Sequence, residues 1–142
     1  MIEYVHRHRV RYREVDPMGL VYHAHYVDYF EVARTEMLRE LGLPYRQIEE
    51  EGLIMPVVDL QIRYHAPAYY DDVLAIAARV HEPPAMRVRV DYEVRRDGEE
   101  SVLTSGHVTL CFVDRERQRP VRAPERFRRL FMEAFERTQA IG

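Results

Sequence analysis

The chain has 142 residues, of which 46% are hydrophobic and 32% charged, and its formal net charge is −3 at pH 7. These values predict one soluble domain over residues 1–142, with no membrane span and no general attraction to nucleic acid. All 21 Lys and Arg positions are arginine, which excludes Schiff-base chemistry and a P-loop lysine. The N-terminus carries charges where a signal peptide needs an apolar segment, so we expect a cytoplasmic protein.

The first part of the chain predicts a strand followed by a long helix. Residues 4–12 alternate, with tyrosine, histidine and valine on one face and mostly arginine on the other. This period of two is typical of a strand with one face toward a core. Over residues 25–41 apolar positions recur every three or four residues, which predicts the longest helix of the chain. Gly42 and Pro44 predict where it ends.

Four further strands and a short helix are predicted downstream. The strands cover residues 56–64, 73–81, 86–95 and 101–113. Short connections, including the Asp97-Gly98 turn signal, predict mainly antiparallel pairing. One face of the first of these strands carries Val58, Leu60, Ile62 and Tyr64. We expect that face to lie toward the core, and we expect a short C-terminal helix to start at Pro124.

Together these elements predict an α+β fold. The sequence contains no repeat, low-complexity segment or linker that would divide it. A five-stranded antiparallel sheet wrapped around one long central helix is the economical way to bury the apolar face of residues 25–41. The short C-terminal helix is added to that arrangement.

The best candidate for chemistry is Asp16, which precedes a Pro-Met-Gly turn and the helix predicted from residue 25. A helix start presents unpaired backbone N–H groups and a partial positive charge, so an acid held beside it could act on a polarised carbonyl. Asp before Pro is also an ordinary turn signal, which leaves a purely structural role open. The bulky residues Tyr22, His23 and His25 stand where small capping residues are usual, and this favours a functional role.

Other polar residues are weaker candidates. Two His-x-His pairs, at residues 6–8 and 23–25, suggest a metal site, but such a site needs three or four converging ligands. Glu31 is the other acid that could reach a site, although an ion pair with Arg34 or with a strand arginine is the simpler interpretation. Arg87 lies on a strand face opposite an apolar row and could hold the phosphates of a nucleotide-bearing substrate.

Residues 12–26, Tyr-Arg-Glu-Val-Asp-Pro-Met-Gly-Leu-Val-Tyr-His-Ala-His-Tyr, resemble the hotdog-fold acyl-CoA thioesterases. The resemblance is to the branch that contains 4-hydroxybenzoyl-CoA thioesterase and the Tol-Pal-associated acyl-CoA thioesterases. Residues 29–36 and the segment Tyr-His-Ala-Pro-Ala at residues 64–68 match that branch as well. The resemblance covers residues 10–114.

The resemblance implies a hotdog fold and hydrolysis of a short-chain or aromatic acyl-CoA, in homodimers or homotetramers whose sites lie at the dimer interface. It assigns Asp16 as nucleophile or general base and the backbone N–H of His23 as the donor to the thioester oxygen. It assigns Gly19, Tyr22 and Arg87 to substrate binding, with Arg87 at the coenzyme A phosphates. It implies no metal and no cofactor, since coenzyme A is part of the substrate.

Some alternatives stay open. The same fold could serve as a non-enzymatic acyl-ligand sensor, or as a thioesterase for acyl carrier protein. One relative has Tyr-Pro-Asn where this chain has His-Ala-His at residues 23–25, so its aromatic preference does not carry over. Hotdog hydratases place their Asp and His five residues apart, whereas Asp16 and His23 are seven apart, which argues against dehydration.

Overall fold

Five long strands pair into one antiparallel sheet. They span Ile2–Arg9 (β1), Val57–Tyr64 (β3), Val73–Val80 (β4), Arg87–Arg96 (β5) and Val102–Cys111 (β6), in the order β1-β4-β5-β6-β3. The short strands Leu53–Ile54 (β2), Val113–Asp114 (β7) and Arg119–Pro120 (β8) form a second, three-stranded sheet. This computed structural model describes residues 1–141, and the side chains of residues 1–138. The predicted antiparallel pairing is confirmed.

The first strand ends earlier than predicted. β1 stops at Arg9, and a 3-10 turn forms at Tyr12–Glu14. The turn forms because the Glu14 carboxylate accepts the backbone N–H of Arg11 at 2.7 Å, which reverses the chain at this point. As a result Tyr12 is 78% exposed and lies outside the core face to which the alternation had assigned it.

The helix α1 spans His25–Glu40, as predicted, and packs on the inner face of the sheet. Phe30 of α1 stacks on Tyr92 of β5, with ring centroids 4.2 Å apart. Gly106 of β6 permits this close approach, because a Cβ at Gly106 would lie 3.0 Å from the Phe30 ring and 2.3 Å from the backbone oxygen of Gln61. The buried residues of α1 are Tyr26, Tyr29, Phe30, Ala33, Met37 and Leu38.

The edge strand β3 corrects another prediction. Val58, Leu60, Ile62 and Tyr64 were expected to face the core. Ile62 is partly buried against it, but Val58, Leu60 and Tyr64 are 45%, 42% and 50% exposed. The apolar alternation is present, but β3 pairs only with β6 and lies at the edge of the sheet, so these side chains are only partly covered. An apolar edge strand is a ready template for pairing with another chain.

The C-terminal helix is longer than predicted. α3 spans Glu125–Ile141 and has 17 residues, one more than the 16 of α1. Its predicted apolar face is confirmed, with Phe127, Phe131, Ala134 and Phe135 all buried. The helix continues because no glycine or proline interrupts residues 125–141. A further short helix, α2, forms at Tyr45–Glu50. None of the described helices is long and apolar enough to cross a membrane.

Candidate active site

A tight turn holds the carboxylate of Asp16 in one orientation. The backbone N–H groups of Met18 and Leu20 donate to Asp16 Oδ1 at 2.8 and 3.3 Å, and the Asp16 N–H donates to the Leu20 carbonyl at 2.8 Å. Gly19 makes this turn possible, because it adopts a φ of 82°, where side chains are strained. In the described part of the chain Oδ2 of Asp16 has no hydrogen-bond partner, so one carboxylate oxygen is fixed and the other is available.

The start of α1 presents unpaired donors. The Tyr22 N–H donates to the Glu14 carbonyl at 2.9 Å, and the His25 N–H donates to the Tyr22 carbonyl at 2.9 Å. Between them, the N–H groups of His23 and Ala24 donate to no acceptor among the described residues. These groups lie at the helix end that carries partial positive charge. They can therefore donate to a bound carbonyl oxygen.

The acid and the helix start meet at one cavity of about 240 Å³. Its walls are mostly apolar, so hydrogen bonds made inside it are stronger than the same bonds in water. The lining residues are Asp16, Met18, Leu20, Val21, His23, Tyr26, Tyr64, Ala66 and Pro67. The structure thus brings together Asp16 and His23, which the sequence had selected independently of any cavity.

Two tyrosines complete the cavity, and sequence reasoning did not assign them a role. Tyr64, at the end of β3, donates its hydroxyl to the His23 carbonyl at 2.9 Å. The Tyr26 ring packs edge-on against Tyr64, with centroids 5.5 Å apart. Burial raises the pKa of both hydroxyls, so both stay protonated near neutral pH. In the sequence, only the resemblance of residues 64–68 to the thioesterase branch had pointed to this side of the cavity.

The residues assigned to substrate binding lie at different distances from the cavity. Gly19 shapes the Asp16 turn and does not line the cavity. Tyr22 is 45% exposed and also lies outside the lining, where its ring packs 4.3 Å from that of His23. Arg87 pairs with Cys111 of β6, seven residues from Thr104, the partner of Tyr64. At ~3.3 Å per residue, Arg87 lies roughly 23 Å along the sheet from the cavity. The binding roles of these residues stay predictions.

The weaker candidates do not join the site. Glu31 lines a separate cavity of about 170 Å³ together with Arg34. The predicted ion pair between them does not form, because the Arg34 guanidinium donates to the Tyr92 hydroxyl at 3.1 Å. His8 lies 2.8 Å from Glu14, away from the histidines at residues 23–25. Within residues 1–138 no three His, Cys, Asp or Glu side chains cluster as a metal site would require.

An antiparallel sheet packed on α1, with an acid beside free N–H groups at the helix start, defines the class of hotdog-type hydrolases. The chain belongs to the Thioesterase-like superfamily, whose sequence model matches residues 10–131. The resemblance, the hotdog-type fold with its antiparallel sheet, and the enzyme class of thioester hydrolase are thereby confirmed.

Named relatives support the same assignment. The protein YneP of Bacillus subtilis is 36% identical over 124 residues, which cover 86% of this chain and 85% of YneP. The acyl-CoA thioesterase YbgC of Haemophilus influenzae is 33% identical, covering 87% of this chain and 90% of its own. A solved structure of DHNA-CoA thioesterase from Staphylococcus aureus is 30% identical, with a TM-score of 0.86 and coverage of 99% and 93%.

Proposed function

We propose that the protein hydrolyses an acyl-CoA thioester to the free acid and coenzyme A. The observation that carries this proposal is the shared cavity of Asp16 and the unpaired His23 N–H. An available carboxylate oxygen opposite a fixed backbone donor is the arrangement that acyl transfer requires. The name of the YbgC relative, an acyl-CoA thioesterase, supports the coenzyme A ester as substrate.

The chemistry follows from these two groups. The thioester oxygen accepts the His23 N–H, which stabilises the negative charge that develops when the carbonyl is attacked. The free Oδ2 of Asp16 either removes a proton from an attacking water or attacks the carbonyl carbon itself; in the second case water then cleaves the acyl–Asp16 anhydride and regenerates the carboxylate. The carbon–sulfur bond breaks, the acyl group gains the oxygen of water, and the sulfur leaves with a proton as the coenzyme A thiol. These steps involve no metal and no further cofactor.

The size and walls of the cavity support a short-chain or aromatic acyl group. Its volume of about 240 Å³ is small, and apart from Asp16 and His23 its walls are apolar or aromatic. A 28% identical relative from Thermosynechococcus vestitus is named 1,4-dihydroxy-2-naphthoyl-CoA hydrolase, and a naphthoyl group is a compact aromatic acyl group.

The exposed edge strand supports a homodimer that completes the site, with a homotetramer as a pair of such dimers. Two β3 strands related by a two-fold axis pair as antiparallel neighbours, which makes the two sheets continuous and wraps each around its own α1. This pairing buries Val57, Val58, Leu60 and Tyr64, which are between 42% and 50% exposed. In this antiparallel pairing, the end of the partner's sheet that carries Arg87 would lie beside the cavity of the first protomer. The partner's Arg87, and not the Arg87 of the same chain, would then lie near the coenzyme A phosphates.

Replacing Asp16 tests the proposal. Asp16→Asn should lower kcat by about 10² or more in a thiol-release assay with a panel of short-chain and aromatic acyl-CoAs, because the catalytic oxygen is lost. Asp114→Asn is the matched control, since Asp114 also accepts a backbone N–H in a turn, at 2.9 Å from Arg117, but does not line the cavity. A wild-type protein that binds acyl-CoA without releasing thiol would instead indicate a sensor, and faster release from acyl carrier protein would change the substrate.

A further inference from the structure

Glu14 lies beneath the turn that carries Asp16, and its side chain is fixed on two sides. Its Oε1 accepts the backbone N–H of Arg11 at 2.7 Å and lies 2.8 Å from Nε2 of His8 on β1. The Glu14 side chain is only 13% exposed and that of His8 only 21%. A carboxylate so enclosed is held in one place, and the backbone of Glu14 is held with it.

The backbone of Glu14 joins the two halves of the site. Its carbonyl accepts the Tyr22 N–H at 2.9 Å. Glu14 is two residues before Asp16, and Tyr22 is one residue before His23. This hydrogen bond, together with the one from the Asp16 N–H to the Leu20 carbonyl, connects the segment that carries the acid to the segment that carries the unpaired donor. It also leaves the His23 N–H as the next donor in line, without an acceptor.

The charge of Glu14 is maintained in these surroundings. Burial disfavours the ionised carboxylate, but the Arg11 N–H and His8 outweigh burial and lower the pKa of Glu14. Tyr29 of α1 packs against the His8 ring with centroids 4.8 Å apart, and its hydroxyl is buried without a partner among the described residues. Burial, together with the nearby Glu14 charge, raises the pKa of Tyr29. His8, Glu14 and Tyr29 thus link β1, the 3-10 turn and α1.

We propose that Glu14, held by His8, is a positioning residue that sets the place of Asp16 relative to the His23 N–H. The inference rests on the proposed hydrolysis and adds to it a residue that touches no substrate, since Glu14 and His8 do not line the cavity. Its effect falls on kcat, because a displacement of about 1 Å between reacting groups can cost up to ~10² in rate.

Steady-state kinetics on Glu14 variants test this role. Glu14→Ala should lower kcat about tenfold or more while KM changes by less than about threefold, because binding is kept and alignment is lost. Glu14→Gln keeps an oxygen that can accept the Arg11 N–H, and it should recover most of kcat. The control is Glu93→Ala, which removes a carboxylate that is also partly buried, at 29% exposure, and that pairs with Arg79 and Arg95 on the outer face of the sheet. A lower melting temperature with unchanged kcat is expected for that control.

His8→Leu gives a second measurement should Glu14→Ala fail to fold. It removes the contact to Glu14 and should lower kcat at least about threefold, and in the double variant the two effects should not add, because they act on one contact. A folded Glu14→Ala or His8→Leu protein with kcat within about twofold of wild type would overturn the positioning role. In the same assay, full activity of Asp16→Asn would overturn the proposed function itself, so the two failures are distinguishable.

Discussion

Phe30 and Tyr92 lie face to face, with ring centroids 4.2 Å apart and planes inclined by only 4°. This contact fixes the height of α1 above the sheet, and the start of α1 carries the donors of the site. Burial raises the pKa of Tyr92 to about 12, so its hydroxyl stays protonated and accepts the hydrogen bond from Arg34 at 3.1 Å. Tyr92 therefore holds α1 at two positions, through ring stacking on Phe30 and through the hydrogen bond from Arg34.

Replacing Gly106 should disturb this anchor. In Gly106→Ala the new Cβ would lie 2.3 Å from the Gln61 oxygen and 3.0 Å from the Phe30 ring, so both must move. We expect a loss of about 1–3 kcal/mol in the free energy of unfolding, as is usual for overpacking. Urea unfolding measures it. Thr109→Ala on the outward face of the same strand is the control, because its hydroxyl makes no hydrogen bond in the described part of the chain; it should change stability by less than about 1 kcal/mol. Equal losses in the two variants would contradict the packing account.

Removing the Tyr64 hydroxyl should loosen the loop that carries His23. Tyr64→Phe deletes the hydrogen bond to the His23 carbonyl at 2.9 Å, and such a bond contributes about 0.5–1.5 kcal/mol. We expect a small loss of stability and a several-fold lower kcat. Tyr69→Phe is the matched control, because Tyr69 is also about half exposed, at 47%, and its hydroxyl has no partner in the described part of the chain. A kcat that responds equally to both changes would rule out a specific role for Tyr64.

A charge on the edge strand should separate the protomers. Leu60→Lys places an ammonium group in the middle of β3, where the side chain is 42% exposed, and charged edges oppose strand pairing. We expect a smaller species in analytical ultracentrifugation and a loss of thiol release, since the proposed site needs its partner. Met132→Lys on α3, at 43% exposure, should leave both unchanged. An active Leu60→Lys monomer would show that one chain is sufficient.

Acidification should weaken the fold through His6. Burial and the neighbouring His8 lower the pKa of His6 below its ordinary value of 6.5, while Glu36 acts in the opposite direction. The unfolded chain therefore binds more protons than the folded chain just below pH 6.5. This contribution to stability is complete above pH 6.5 and is lost as the pH falls through 6.5 toward the folded-state pKa. The urea midpoint should therefore be lower at about pH 5.5 than at about pH 7.5, and His6→Gln should reduce the difference between the two.

Contiguous features of the site were predictable from the sequence. Asp16 and His23 are seven residues apart, and the turn and helix start between them follow from local rules for glycine and for helix ends. Tyr64 was missed as part of the site because it reaches the cavity from a distant strand, and no local pattern encodes that contact. The period of β3 was read correctly, but its burial was not, since burial depends on the order of strands in the sheet.

The length of the elements was less predictable than their type. β1 ends at Arg9 because a side chain, Glu14, captures a backbone N–H, and such a competition is not visible in hydrophobic alternation. The C-terminal helix was expected to be short because its apolar face covers few turns. It extends to Ile141 because the mostly polar residues after Phe135 have adequate helix propensity and do not need to be buried.

The unpaired donor at residue 23 is a backbone N–H, so the group proposed to act on the carbonyl is separate from the side chain that contacts the acyl group. Every amino acid except proline supplies an N–H at that position, so the His23 side chain can be exchanged without removing the group proposed to polarise the carbonyl. The same side chain lines the cavity, so exchange alters the wall that the acyl group meets. In the proposed reaction we therefore expect single substitutions at residue 23 to change substrate preference more than they change the rate of hydrolysis.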